Sequence, residues 1–208
     1  MTVDGTSGRV PETELVARLL AKDESAFLEL VNRHHSGLLR VASSILRSSA
    51  SAEEIVQETW QAFLEGLPSF EQRSSIKTFL YRILTNRART RAFRDQRTST
   101  MSELESDDDE SPLVDRFGTA GNWLAPPTAW GAETADGLLA RRQAMDALQS
   151  ALEKLPERQR AVVQLRDVEG LSSEEVCELL ELTEVHQRVL LHRARTKLRV
   201  VLEEYFRG

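Results

Sequence analysis

The sequence predicts an all-α protein of two small helical domains joined by a long acidic linker. Three observations carry that expectation. Apolar residues recur at helical spacing through most of the 208 residues, with almost no β-branched alternation. Aromatic residues make up only 6% of the chain, fewer than a β-rich core would use. Between two periodic halves lies a stretch at 98–135 rich in Ser, Asp, Glu, Pro and Gly, with SDDDESP and APP inside it. Such a composition buries too little apolar surface to fold alone.

Charge is distributed as unevenly as hydropathy. The net charge of −6 argues at first against a nucleic-acid partner. Residues 71–97, however, hold eight Arg/Lys against two acids. Residues 101–115 hold seven acids and no base, and 186–199 hold five Arg/Lys and no acid. Two basic patches are thus separated by an acidic tether, and local charge matters more to a partner than the sum. The single cysteine, Cys177, sits among apolar positions and reads as a structural thiol. No apolar run approaches a bilayer-spanning length, and the first ten residues lack the apolar core of a signal peptide. A cytoplasmic protein with no membrane partner is expected.

In chain order, residues 1–9 read as disordered. Pro11 opens a helix with Leu15, Val16, Leu19 and Leu20. Asp23 is the N-cap of the next, whose repeat includes Phe27, Leu30, Val31, His34, Leu38, Leu39, Ala42, Ile45 and Leu46. The pair His34–His35 points about 100° apart on a helix with no third ligand in spacing, so no metal site is expected. Ser49, Ala50 and Ser51 read as a break before a third helix at 52–67. Ile55, Val56, Thr59, Phe63 and Leu67 form its buried side; Glu53, Glu54, Gln57, Glu58 and Gln61 form a polar, acidic one. Taken alone, that face reads as solvated.

Gly66 and Pro68 end this helix, and 70–75 is a short loop. Ile76 begins a long helix with Phe79, Leu80, Ile83 and Leu84 buried. Lys77, Arg82, Arg89 and Arg91 are spread along it, with Tyr81 and Phe93 interleaved. Cations mixed with rings beside a loop suit single-stranded nucleic acid, and equally a helix whose aromatics are all core. Within the linker, Trp123 and Trp130 suggest residues that rest on something. Helix resumes near Asp136, with Leu138, Leu139, Met145, Leu148 and Leu152.

Three helices follow in quick succession over 155–199. Pro156 suits the first helical position, Ala161, Val162, Leu165 and Val168 keep the repeat, and Gly170 suits a C′ stop. Ser172 and Glu175 form a capping box for a short helix with Val176, Leu179 and Leu180. A tight break at Glu181–Leu182 precedes Thr183, the N-cap of a basic helix lined by Leu191, Ala194, Leu198 and Leu202. Two short helices, a tight turn and a longer basic helix make a helix-turn-helix, whose last helix suits a DNA groove.

Two segments together carry a family resemblance. AEEIVQETW at 52–60, followed by SIKTFLYRILTNRAR at 75–89, resembles region 2 of extracytoplasmic-function (ECF) sigma factors. LPERQRAVVQLRDVEGLSSEEV at 155–176, then LLHRARTKLR at 190–199, resembles their region 4. The resemblance implies a region 2 helical bundle at 10–97, a flexible acidic linker at 98–135 and a region 4 helix-turn-helix at 136–207. It implies an initiation subunit with core RNA polymerase and promoter DNA as partners, the −10 element melted and the −35 element double-stranded, and an anti-sigma factor as an optional further partner.

The resemblance also implies residue roles. Glu53, Glu54, Gln57, Glu58 and Gln61 would dock on the polymerase. Phe70, Glu71, Gln72, Arg73 and Ser74 of the loop, with Lys77, Tyr81, Arg82 and Arg89 of the following helix, would hold the melted −10 strand. Ser172, His186, Gln187, Arg188, Val189, His192 and Arg193 would meet the −35 element. Ser51 stands where the family usually has Asp, and Phe79 where Trp is common. The recognition helix reads EVHQRVLL in place of the commoner VGTVKSRL, which puts Gln187 near the buried stripe.

No catalytic residues, cofactor or metal site are expected. The chain lacks a nucleophile–base–orienter set and a phosphate-binding glycine loop. The alternative is a stand-alone helix-turn-helix regulator, which has no use for an acidic docking face; a third reading is a helical protein that binds polymerase without starting transcription.

Overall fold

In the computed structural model, residues 11–98 and 135–207 are described, with side chains placed for 11–95 and 143–203. The expected linker, its tryptophans and the first ten residues lie outside them. The described residues form helices α1 (Glu12–Leu20), α2 (Glu24–Ile45), α3 (Ser49–Gly66), α4 (Ile76–Thr98), α5 (Ala135–Glu153), α6 (Glu157–Val163), α7 (Ser173–Leu180) and α8 (Glu184–Arg207). No strand occurs among them, so the all-α expectation is borne out. The chain divides into two compact units between Ala92 and Phe93.

In the first unit, α1 and α3 pack on α2. Asp23 caps α2 by accepting hydrogen bonds from the Ser25 and Ala26 amides. Ser48, not a residue further on, caps α3, so Ser49, Ala50 and Ser51 form its first turn. The expected break is thus corrected. Serine weakens a helix interior but suits a helix start, because its hydroxyl competes for backbone N–H groups that are orphaned there anyway.

The predicted buried side of α3 is buried throughout: Ile55, Val56, Thr59, Phe63 and Leu67. Thr59 satisfies its hydroxyl by donating to the Ile55 carbonyl at 2.7 Å. On α1, by contrast, Leu20 is exposed.

A run of aromatic contacts joins three helices and a loop. Phe27 meets Trp60 edge-on at 5.7 Å, Trp60 meets Phe63 at 6.2 Å, and Phe63 meets Phe79 at 5.8 Å. Phe79 then stacks on Phe70 at 4.9 Å. Gly66 makes room: a Cβ there would stand 3.2 Å from the Phe79 ring. Such pairs add to the burial of the rings themselves. The Trp60 indole N–H also donates to His35 Nδ1 at 3.4 Å, which gives one of the two adjacent histidines a packing role.

In the second unit, α5 and α6 both pack on α8. The core includes Leu152, Leu155, Val162, Leu190, Leu191, Ala194 and Leu198. Met145 of α5 is exposed. Pro156 is extended and serves as the N-cap of α6 rather than its first residue. After α6 the chain widens into a π-helical turn, Gln164–Val168, and Gly170 at φ +70° stops it as expected. Cys177 is half-buried on α7; burial raises its thiol pKa, in keeping with a structural role.

Candidate docking face and nucleic-acid interfaces

The acidic side of α3 is solvent-facing as its spacing requires. Glu53, Glu54, Gln57 and Gln61 are exposed and Glu58 is half-buried. Two of these acids are already engaged. Arg87 Nη1 donates to Glu58 Oε2 at 2.7 Å, and Arg91 Nη1 donates to Glu54 Oε2 at 3.0 Å. Glu53 and Gln57 sit beside this ladder, and Gln61 bonds Glu65 one turn on at 3.0 Å. Sequence reading missed the ladder, because its partners lie 29 and 37 residues apart.

The loop after α3 is held at both ends. At its start, a short 3-10 turn, Leu67–Ser69, leads to Phe70, which is half-buried against Phe79. At its end, the Glu12 carboxylate accepts from the Ile76 amide, and Ser75 Oγ accepts from the Thr78 amide at 3.0 Å. These satisfy orphan donors at the start of α4. Between the anchors, Glu71, Gln72 and Arg73 are exposed and Ser74 is half-buried. Glu71 and Arg73 pair at 2.5 Å, and Gln72 is left-handed at φ +55°.

On α4, Lys77, Arg82 and Arg89 are half-buried. Tyr81 is fully buried, which corrects its assignment to the melted strand. Its ring lies on the same stripe as Leu80, Leu84 and Ala88, and Lys77 Nζ lies 5.9 Å over it. Of the two interleaved rings, Phe93 is the exposed one.

The helix-turn-helix is closed by local chemistry. Ser172 accepts from the Glu175 amide at 3.1 Å while Glu175 accepts from the Ser172 amide at 2.7 Å, the expected capping box. Ser172 is therefore occupied as a cap, although exposed. Glu181 takes the left-handed conformation at φ 53°, and Thr183 Oγ1 accepts from the His186 amide at 3.2 Å.

On the first turns of α8, His186, Arg188 and Val189 are exposed, while His192 and Arg193 are half-buried. Val185, 71% exposed, extends this face. Gln187 is 1% exposed, which corrects its assignment as a base contact. It precedes Leu190, Leu191, Ala194 and Leu198 on one buried stripe, and accepts from Ser173 Oγ of α7 at 3.0 Å.

The bases of α8 are less isolated than their run suggests. Arg188 pairs with Glu184 at 2.9 Å and Arg199 with Glu203 at 2.5 Å. Arg195 grips Asp167 of the π-helical turn through Nε at 2.9 Å and Nη2 at 2.7 Å. That hydrogen bond raises the guanidinium pKa above its ordinary value. A two-point arginine–carboxylate fork fixes geometry better than one contact does.

The family model for Sigma-70 region 2 matches residues 30–98, and that for Sigma-70 region 4 matches residues 145–198. The ECF RNA polymerase sigma factor SigM of Mycobacterium tuberculosis is 29% identical over 187 residues, spanning 90% of this chain and 82% of the relative. The chain is an ECF sigma factor of the sigma-70 family. The ECF RNA polymerase sigma-E factor of Salmonella typhimurium is 28% identical to this sigma factor over 194 residues, 91% of one chain and 93% of the other.

SigG of M. tuberculosis reaches 33% over 200 residues, but the sigma factor spans only 51% of that relative. Among solved structures, RpoE of Bartonella quintana, bound to the anti-sigma factor NepR, matches at TM-score 0.55 and 21% identity, covering 85% of this chain and 96% of that one. CnrH, bound to the cytosolic domain of CnrY, matches at TM-score 0.54 and 22% identity, covering 93% and 97%. At these identities the likeness is one of fold.

Proposed function

We propose that this sigma factor directs core RNA polymerase to specific promoters and assists their melting, with the work divided among three surfaces. The observation that carries the reading is the pairing in one chain of region 2, with its exposed acidic face and doubly anchored loop, and region 4, with an exposed recognition face. A stand-alone helix-turn-helix regulator would need only the second.

The polymerase-docking surface we assign is Glu53, Gln57 and Gln61, with Glu54 and Glu58 beside them. The −10 surface is Phe70 to Ser74 together with Lys77, Arg82 and Arg89; the ring of Phe70, backed by Phe79, gives an unstacked base a rigid wall. Capturing such bases offsets an unstacking cost of a few kcal/mol each. The −35 surface is His186, Arg188 and Val189, flanked by His192 and Arg193. Arginine reads guanine or takes phosphate, and a valine methyl meets thymine.

The reading assigns residues 10–97 to region 2, 98–135 to the linker and 136–207 to region 4. It needs no bond-making step, so the sigma factor acts through binding alone. No helix of the described residues is long and apolar enough to cross a membrane, and we place the protein in the cytoplasm. Two similar folds were solved with a bound partner, the anti-sigma factor NepR in one and the cytosolic domain of CnrY in the other; an anti-sigma factor is proposed here too.

The test is transcription in vitro. Adding the protein to core RNA polymerase is expected to yield promoter-specific transcripts from its genomic templates. Absence of any transcript would refute the reading, and tight promoter binding without polymerase would favour the stand-alone regulator.

A further inference from the structure

The two ion pairs between α3 and α4 are the feature that the docking reading leaves unexplained. Glu54 and Glu58 are one turn apart on α3, and Arg91 and Arg87 are one turn apart on α4. Their order shows that the helices run antiparallel with the pairs stacked along the seam. On a helix of 100° per residue, Arg87 and Arg91 lie roughly 140–180° round α4 from Arg82 and Arg89. Arg87 and Arg91 thus face the acids of α3, on the side of α4 away from Arg82 and Arg89.

These pairs are poor candidates for holding the fold together. Both pairs lie at the surface and are partly solvated, at 54% and 40% exposure for Glu54 and Glu58 and 32% and 39% for Arg91 and Arg87. Surface pairs this open to solvent contribute little to stability, and Phe63, Leu80 and Leu84 are fully buried nearby in sequence on the same helices. Each bond also uses only one carboxylate oxygen, Oε2.

We propose that Arg87 and Arg91 are internal stand-ins for cationic side chains of the polymerase surface, and that they hold the docking face attenuated in the free sigma factor. This rests on the docking reading above. Neutralised by its arginine, each acid attracts a cationic partner weakly. A partner cation brought to either carboxylate also stands within a few ångströms of the resident guanidinium and is repelled by it. Docking therefore requires the long arginine side chains to swing aside. Glu53 and Gln57, which lie outside the ladder, make first contact without that cost. The partner surface that fits is one with two cations a helical turn apart.

The test measures binding of the full-length protein to core RNA polymerase, with thermal melting in parallel. Replacing both arginines (R87Q/R91Q) is expected to tighten binding roughly three- to tenfold at low salt, with a steeper loss of affinity as salt rises. The melting curve should stay close to that of the parent. Unchanged or weaker binding, or loss of the fold, would make the arginines braces and overturn the proposal. A fourfold swap (E54R/R91E/E58R/R87E) keeps both pairs with their polarity inverted. It should fold and lose polymerase binding; binding at the parent level would overturn the proposal, since Glu54 and Glu58 would then take no cation. Failure of the docking reading looks different: the parent protein would not bind polymerase, or E53K/Q57K would bind as well as the parent.

Discussion

Glu181 carries the clearest local cost in the helix-turn-helix. A side chain at φ 53° and ψ 47° pays for the left-handed conformation that the turn requires. Glycine avoids that cost but loses more entropy on folding. Replacing Glu181 with Gly is expected to stabilise the second unit by roughly 0.5–1 kcal/mol; an unchanged or lower urea midpoint would show that the turn is not strained. Gln187 is a different case. Its Nε2 is buried with no hydrogen-bond partner, and leaving such a donor unsatisfied costs about 1–3 kcal/mol. Gln187→Leu should therefore fold at least as stably as the parent and keep its discrimination among −35 variants. Arg188→Ala should weaken −35 binding by roughly tenfold, in the range of one good contact. Loss of discrimination in the leucine variant alone would restore Gln187 as a reader.

Caps operate at the scale of the element. The reciprocal bonds of Ser172 and Glu175 start α7, and Ser172→Ala is expected to cost about 1 kcal/mol in the second unit. A melting curve within error of the parent would mean that packing alone starts the helix. At the head of α2, Asp23 accepts from Ser25 and from Arg18, and these hydrogen bonds hold its carboxyl far below the usual carboxylate range. The folded-state pKa is thus depressed relative to the unfolded one. The cap's stabilisation is present above the ordinary value of 3.8 and is lost as pH falls through the acid range. Asp23→Asn keeps a capping side chain without the titration, so its melting temperature should depend less on pH below 4 than the parent's. Parallel acid limbs for the two proteins would contradict this.

Across the whole molecule, charge decides how the surfaces are used. The chain is −6 overall, and Arg188, Arg195 and Arg199 of the recognition helix each pair with an acid outside the basic run. The isolated protein should therefore bind promoter duplex weakly at physiological salt, and the complex with core polymerase far more tightly. Equal affinity with and without polymerase, measured in the same buffer, would exclude a docking-dependent mechanism. The same charge logic bears on how a docking mutant is chosen. Lysine at Glu54 or Glu58 would face Arg91 or Arg87 and could loosen region 2 itself. Lysine at Glu53 and Gln57 avoids that clash and reads docking alone.

Local patterns in the sequence determined the helical class, the helix-turn-helix, the Asp23 and Thr183 caps, the capping box at Ser172 and the stop at Gly170. Each depends on residues within a turn or two of one another, where spacing and side-chain type are enough. The acidic face of α3 was legible for the same reason. Tertiary structure decided the rest. Burial of Tyr81 and Gln187 depends on which flank of a helix meets a neighbour, and a charged or polar run does not reveal that flank. The aromatic contacts that anchor Phe70, the Glu12 cap on α4, the Arg195–Asp167 fork and the α3–α4 ladder join residues far apart in the chain. Their partners are chosen by packing, so no local spacing announces them. The sequence thus determined what kind of protein this is, and the packing decided which of its charges and rings are free to meet a partner.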